Sequence, residues 1–302
     1  MKLKKMLEIV TDTANFVTLD NYLDFCRRYL EFTENTNNIQ AKIIAQNEHQ
    51  YFFLQYKQEG NYQITRPLNS ELFYDLKNFE SHLKIFNKTT SFNPELEISQ
   101  DLRNCVNSML YTVQQCIGST LDGLPIGLSN KARKINGVLF EKLIIQYLNT
   151  RGIIVQSETL KIPIIHNNQV LFNMKYQHDL VIRDSKGDVK IIGAVKTTSK
   201  DRIDKVFIDK LLYSRLTSTE LPHIAIILND VQRQKGKAGN KYNIRSTFLP
   251  GRFKGYMIKL CPLDGVYYFD HSQIILSDKD LQKMIKPFDK LVFDDLLDFI
   301  NH

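Results

Sequence analysis

The most informative stretch of the chain is YQHDLVIRDSKGDVKIIGAVKTTSKDR, residues 176–202. It holds two apolar runs on either side of a turn at Ser185–Asp188, a pattern typical of a β-hairpin. Asp179 begins the first run and Lys196 ends the second. Because the turn reverses the chain, pairing of the two strands brings that carboxylate and that ammonium side by side. A strand pair that only filled a core would not need both charges there.

The segments around this hairpin alternate between helix and strand patterns. They are, in chain order, a helix over 129–152, two strands within 152–165, a strand over 169–184, a helix over 200–216 and a strand over 223–230. The last of these is a continuous apolar run, as expected of a strand covered on both faces. This order predicts an α/β core in which helices flank a mixed β-sheet.

Composition excludes several classes of protein. The 302 residues are 43% hydrophobic and 24% charged, which is typical of a globular chain. The N-terminal apolar stretch is broken by Glu8 and Asp12, which argues against a signal peptide, and no apolar run is long enough to cross a bilayer. We therefore expect a cytoplasmic protein with no membrane partner. The cysteines lack metal-site spacing and are expected to be reduced: Cys26, Cys105, Cys116 and Cys261.

The net charge of +7 favours a polyanionic partner, and much of it is concentrated after the buried strand. Residues 229–256 predict a flexible loop or ribbon in which Asp230 is the one acid. Phosphate contacts could order this segment, and its arginines could read guanine edges in the major groove of DNA. Its cations are Arg233, Lys235, Lys237, Lys241, Arg245, Arg252 and Lys254.

A second group of polar residues follows Lys196 directly. Hydroxyls and cations at a helix start suit phosphate oxygens, which backbone amides and the helix dipole also attract. The candidates for DNA contact here are Thr197, Thr198, Ser199, Lys200 and Arg202.

Asp179 and Lys196 together indicate a type of chemistry. A carboxylate beside a lysine can hold a divalent cation and a polarised water next to a phosphate, since hard cations prefer carboxylate and water oxygens. Those are the components of metal-assisted phosphodiester hydrolysis.

The sequence here resembles a known family. Asp179, the hairpin and GAVKTTSKDR together resemble the PD-(D/E)xK nucleases, and VKTTSKDR looks like type II restriction endonucleases. In that family an Asp is followed by an acid-x-Lys triplet on the next strand, with a Glu on the preceding helix. Lys196 matches the lysine, Glu141 matches the helix acid, and His178 stands where the family often has Pro. The resemblance covers residues 129–260.

One position departs from the family pattern. The triplet requires Glu or Asp at position 194, where this chain has Ala194. Either the chain is an inactivated variant in which an acid was replaced by alanine, or the second acid has moved to the following helix. Asp209, thirteen residues after Lys196, is the candidate for the second explanation.

The resemblance implies a restriction-endonuclease-like fold and an enzyme that cuts double-stranded DNA. It implies Mg²⁺ as the cofactor, with Mn²⁺ as a substitute, held by Asp179, the residue at 194 and Glu141. It also implies a homodimer and a partner DNA methyltransferase. Residues 1–115 would be an N-terminal α+β region, accessory or DNA-reading, and residues 116–302 the catalytic domain. Two rivals are a non-catalytic DNA-binding protein on a degenerate nuclease fold and a repair or junction-resolving nuclease.

Overall fold

The structure is a computed structural model that describes residues 2–57, 63–91, 93, 96–234 and 242–301. The chain folds as two compact units. The first comprises residues 1–151 and 230–247, and the second comprises residues 152–229 and 248–302. The predicted boundary after residue 115 lies inside a continuous buried helix, so the division between the units falls elsewhere.

The first unit is a helical bundle with a small antiparallel sheet. Its helices are α1 (Leu3–Thr11), α2 (Leu19–Glu34), α3 (Leu76–Asn87), α4 (Gln100–Leu121) and α5 (Ser129–Thr150). Its strands are β1 (Ile39–Ile44), β2 (Tyr51–Tyr56), β3 (Gln63–Ile64) and β4 (Leu68–Asn69). Helix α4 contacts α1, α2, α3 and α5 and is buried along most of its length. The α5 helix lies where the apolar spacing predicts it.

The second unit is built on a six-stranded mixed sheet of order β12-β11-β8-β7-β6-β5. These strands are β5 (Ile154–His166), β6 (Gln169–Arg183), β7 (Val189–Lys196), β8 (His223–Ile227), β11 (Gly265–Tyr268) and β12 (Lys286–Pro287). The helices are α6 (Ile203–Thr217), α7 (Pro250–Gly255), α8 (Gln273–Ser277), α9 (Lys279–Met284), α10 (Phe288–Lys290) and α11 (Leu296–Asn301). Strands β5, β6 and β7 are antiparallel neighbours, whereas β7, β8, β11 and β12 run parallel.

The central strands have the patterns expected of them. All five residues of β8 are buried, because parallel neighbours and helices cover both faces of such a strand. Strands β5 and β6 are joined by a turn at Asn167–Asn168, where both residues have positive φ (49° and 59°), which is the geometry of a tight hairpin turn. The prediction of two strands within residues 152–165 is wrong, because β5 is one strand that pairs with β6 throughout.

The cysteines are free, and within the described part of the chain no helix is long and apolar enough to cross a membrane.

The stability of the second unit should depend on pH through His223, at the start of β8. This side chain is 4% exposed and its Nδ1 is 2.8 Å from the Leu221 carbonyl oxygen, while its buried Nε2 has no hydrogen-bond partner among the described residues. Burial lowers the pKa of His223 to about 4, and Lys210 adds to that effect. Because the pKa of His223 is lower in the folded than in the unfolded chain, the contribution of the neutral imidazole to stability is complete above the ordinary pKa near 6.5. This contribution is lost as the pH falls toward 4.

We expect the free energy of unfolding, measured with urea, to fall by about 3 kcal/mol from this residue between pH 6.5 and 4. A His223→Asn variant, whose amide can still donate to Leu221, should show a correspondingly weaker pH dependence. The exposed His166, changed to Asn, is the matched control and should leave the dependence as it is. Equal pH profiles for wild type and His223→Asn would contradict the prediction.

Candidate active site

The predicted pairing of Asp179 with Lys196 is present. The Lys196 Nζ donates to Asp179 Oδ2, and the Val195 backbone N–H donates to the same oxygen at 3.1 Å. Each side chain keeps about a fifth of its surface exposed, 23% for Asp179 and 22% for Lys196. The pair is thus partly desolvated yet open to a ligand.

The strand geometry explains why the carboxylate lies there. The pairing of β6 with β7 stops at Leu180 opposite Gly193, and beyond that point β6 continues with β5 alone. The Val195 N–H would otherwise lack a partner on β6, and the Asp179 side chain supplies the acceptor. The carboxylate is therefore fixed at the point where the two strands separate.

A β-bulge lies in β6 at the same point. Val181 pairs with Gln156 and His178 pairs with Glu158, so two β6 residues, Asp179 and Leu180, face one β5 residue. Bulges re-aim side chains and are common next to active sites. This one interrupts the alternation of side chains at Asp179, whose carboxylate is directed toward β7.

Gly193 makes room for this arrangement. A Cβ at this position would lie 2.9 Å from Leu180 Cδ2 and 3.2 Å from Ile224 Cγ1, closer than side chains tolerate. The absence of a side chain at 193 lets Leu180 pack across the sheet directly beside the site.

Position 194 and Asp209 are linked by helix α6. Ala194 packs against an apolar cluster that includes Val206 of α6. Asp209 follows Val206 by one turn and precedes Tyr213 by another, so the three share one side of the helix. Tyr213 contacts His178, with 5.7 Å between ring centroids. Asp209 therefore lies on α6 between Val206, whose cluster includes Ala194 of β7, and Tyr213, which contacts His178 of β6.

The Asp209 carboxylate has a defined partner. The Tyr176 hydroxyl donates to Asp209 Oδ1 at 2.7 Å, and this bond together with burial raises the pKa of Tyr176. Burial lowers the pKa of His178, while Asp209 and Asp179 both act on it in the opposite direction. Both carboxylates are thus close enough to His178 to influence its charge.

The donor set for a metal ion is incomplete on its own. Among the described residues no group of three or more His, Cys, Asp or Glu side chains could hold a metal ion, and Ala194 has no donor atom. Asp179 offers hard carboxylate oxygens. Mg²⁺ often takes only one or two carboxylates and completes its shell with water and substrate phosphate. The residues fit a cation of that kind and not a closed protein cage.

Glu141 lies on α5 in the first unit and is partly exposed, as its position on the helix predicts. Its assignment as the helix acid stays a prediction.

The segment between β7 and α6 is a structured turn. Lys200 N donates to Thr198 Oγ1 at 3.2 Å, and the Ser199 carbonyl accepts from the Arg202 and Ile203 amides. Thr197, Thr198 and Lys200 are partly exposed and Arg202 is exposed, whereas Ser199 keeps only 3% of its surface. A buried hydroxyl offers no access to phosphate, so we leave Ser199 out of the proposed interface.

The basic segment 229–256 contains a two-stranded hairpin, so this part of it is more ordered than a flexible loop. Strands β9 (Val231–Arg233) and β10 (Ile244–Ser246) pair antiparallel, and Val231 and Ile244 are buried against Phe53 of β2. Arg233 and Arg245 are exposed on this hairpin. Three of the predicted contacts lie outside the described residues: Lys235, Lys237 and Lys241.

Two other predicted cations are paired with acids that are distant in sequence. Arg252 Nη1 lies 3.2 Å from Asp204 Oδ2, and Lys254 Nζ lies 2.8 Å from Asp278 Oδ2. Asp230 is the one acid within the segment 229–256, and these two partners lie outside it. Sequence spacing could not show these partners, because they come from other elements.

Comparison with known proteins gives a fold. A scan against protein-family models and a search of curated proteins find no match. Among solved structures, the type IIP restriction endonuclease Kpn2I is similar, with a TM-score of 0.70 and 18% identity over 99% of this chain and 97% of that one. The PspGI restriction endonuclease–substrate DNA complex matches with a TM-score of 0.42 and 13% identity over 74% of this chain and 88% of that one, too weakly to carry an argument. The chain has a restriction endonuclease fold, which confirms the predicted fold class.

Proposed function

We propose that the chain is a type II restriction endonuclease that hydrolyses both strands of a short double-stranded DNA sequence with Mg²⁺. The observation that carries the proposal is the Asp179–Lys196 pair, fixed where β6 and β7 separate in a chain with this fold over nearly its full length. Mn²⁺ is the expected substitute for Mg²⁺, and a methyltransferase that protects the same sequence is the expected partner enzyme.

The residues divide the work as follows. Asp179 would contribute carboxylate oxygens to the cation, and Lys196 would orient the attacking water or offset negative charge that develops on the phosphate. Bound Mg²⁺ would supply positive charge at the scissile phosphate and lower the pKa of water. The ion pair seen here holds Lys196 beside the Asp179 carboxylate before any ligand arrives.

We propose that Asp209 is the second acid. It is half-buried on the side of α6 that also carries Val206 and Tyr213, and the Tyr176 hydroxyl orients its carboxylate. The small Ala194 packs against the same helix. A charged Glu there would enter an apolar cluster, which costs free energy unless a cation or hydrogen bonds compensate. This favours the migrated acid over an inactivated variant.

A homodimer is part of the proposal, because a palindromic site on DNA is matched by a two-fold axis in the protein. The proposed DNA contacts are Arg233 and Arg245 on the β9–β10 hairpin and, in the turn after β7, Thr197, Thr198, Lys200 and Arg202. Their charges and exposure support this assignment.

Incubation of the purified protein with a set of plasmids and Mg²⁺ tests the proposal. We expect discrete fragments with fixed ends, and no cleavage by an Asp179→Asn variant prepared in parallel. Nicks that depend on DNA structure and not on sequence would instead favour a repair or junction-resolving nuclease. Plasmids that stay intact at every Mg²⁺ and Mn²⁺ concentration would favour a DNA-binding protein without catalysis.

A further inference from the structure

Strands β5 and β6 form a two-stranded arm with two unlike faces. Only Leu180–Arg183 of β6 pairs with β7, so the β6 residues before this range have β5 as their one partner. One face of the arm packs on α6 through residues such as Ile162, Met174 and Tyr176, which join Tyr213 in an apolar cluster. The other face is exposed.

Near the site the exposed face is polar and carries no acid, whereas the far end of the arm carries exposed apolar residues such as Ile165 and Leu171. Residues 152–234 are all described, and the outward positions closest to Asp179 contain hydroxyls, amides and lysines and no carboxylate. These positions are Ser157, Thr159, Lys161, Asn173, Lys175 and Gln177. Glu158, on the opposite face, is already bound by Arg183 at 2.8 Å.

Two lysines stand directly opposite each other on this face. Lys161 pairs with Lys175 in the β5–β6 register, and both side chains are exposed. Like charges in such a cross-strand pair destabilise a sheet. Within the described chain neither lysine has a carboxylate within ion-pair distance. The fold thus holds two cations together without an internal anion, an arrangement that suits an external one.

Lys175 of the lysine pair lies on the same strand as the proposed catalytic carboxylate. Met174, Tyr176 and His178 face α6, so the alternate residues Lys175 and Gln177 point to the other side, and Asp179 follows Lys175 by four residues along β6. Four residues of extended strand span about 13 Å. One strand of DNA carries a phosphate every ~3.4 Å along the helix axis, so that distance corresponds to about four nucleotides.

We propose that the outer face of the β5–β6 arm binds the DNA backbone, with Lys161 and Lys175 holding phosphates about four nucleotides from the one that is cut. This inference rests on the proposed nuclease function and adds a backbone clamp to it. The contact is independent of sequence, because phosphates carry no base identity.

The test measures binding of a random-sequence 40-base-pair duplex in Ca²⁺ across salt concentrations from about 50 to 200 mM. Each lost phosphate contact should reduce the slope of log K against log salt by about 0.9, so Lys161→Ala/Lys175→Ala should lose about 1.8 per protomer. At 0.15 M salt the affinity should fall about 30-fold for each protomer that contacts the duplex. The Lys161→Arg/Lys175→Arg variant should bind like wild type.

The matched control removes the same charge elsewhere in the second unit. Lys186 and Lys279 are exposed and lie off the arm, so Lys186→Ala/Lys279→Ala should leave the slope unchanged. The melting temperature of the arm variant should be no lower than that of wild type, since a like-charge pair has been removed.

Three results would overturn the inference. Equal slopes for the arm variant and wild type would remove the clamp while leaving the nuclease proposal intact. A change from dimer to monomer at an unchanged salt slope would make the arm a subunit contact. A wild-type protein that binds no duplex at all would remove both proposals.

Discussion

The Lys196→Met variant is expected to bind DNA and fail to cut it. Among the described residues Lys196 is the cation that contacts the Asp179 carboxylate, and a preorganised charge beside the reacting phosphate typically contributes about 10²–10³-fold in rate. Methionine keeps much of the length of the side chain without the charge. Single-turnover cleavage of a plasmid that wild type cuts should slow by at least that factor, while duplex affinity in Ca²⁺ should change by only a few fold.

The fold should survive this substitution, because the Asp179 carboxylate left behind is still partly exposed to water. Asp179 also keeps the Val195 amide as a donor. Lys186→Met, in the exposed β6–β7 turn, is the control for the loss of one lysine and should cut normally. Loss of DNA binding in parallel with cleavage would assign Lys196 to substrate binding instead and count against the proposed role.

The sequence predicts the centre of the second unit and helix α5 of the first unit well, and the rest of the first unit poorly. The β6–β7 hairpin, α5 and β8 are marked by strong local patterns, either alternation and turn residues or helical spacing. Helix α4 has no such pattern, because it is buried on nearly all sides and its buried positions include polar residues such as Gln114 and Gln115. A helix buried all round gives no amphipathic signal.

The candidate site shows the same limit. Asp179 and Lys196 could be paired from the sequence because one hairpin connects them. The bulge at Asp179–Leu180, by contrast, depends on the register with β5, and single-residue register shifts leave no mark in composition. The bond from Tyr176 to Asp209 joins residues 33 apart through the packing of α6 on the sheet. The sequence shows Tyr176 three residues before Asp179, but nothing in the sequence indicates that this tyrosine contacts Asp209 on α6.

The Asp209→Asn variant should lose cleavage as severely as Lys196→Met. Asparagine has nearly the same shape and its oxygen can still accept from Tyr176, so the change removes charge and little else. A carboxylate that helps to hold a catalytic cation contributes several kcal/mol of transition-state stabilisation, which corresponds to about 10³-fold in rate. Cleavage at saturating Mg²⁺ and Mn²⁺ measures this loss, and partial rescue by high Mn²⁺ is expected if metal affinity is what has been weakened.

The Ala194→Glu variant distinguishes the two explanations for the missing acid. With Asp209 as the second acid, Glu at 194 should not raise the cleavage rate, and it should lower stability by about 1–3 kcal/mol because a larger polar side chain enters the cluster around Val206. The double variant Asp209→Asn/Ala194→Glu should recover part of the activity if the new carboxylate reaches the same cation. Two results together would mean that alanine had replaced the acid in an inactivated enzyme. The parent protein would be inactive and Ala194→Glu active, and adding Asp209→Asn to Ala194→Glu would leave the cleavage rate unchanged.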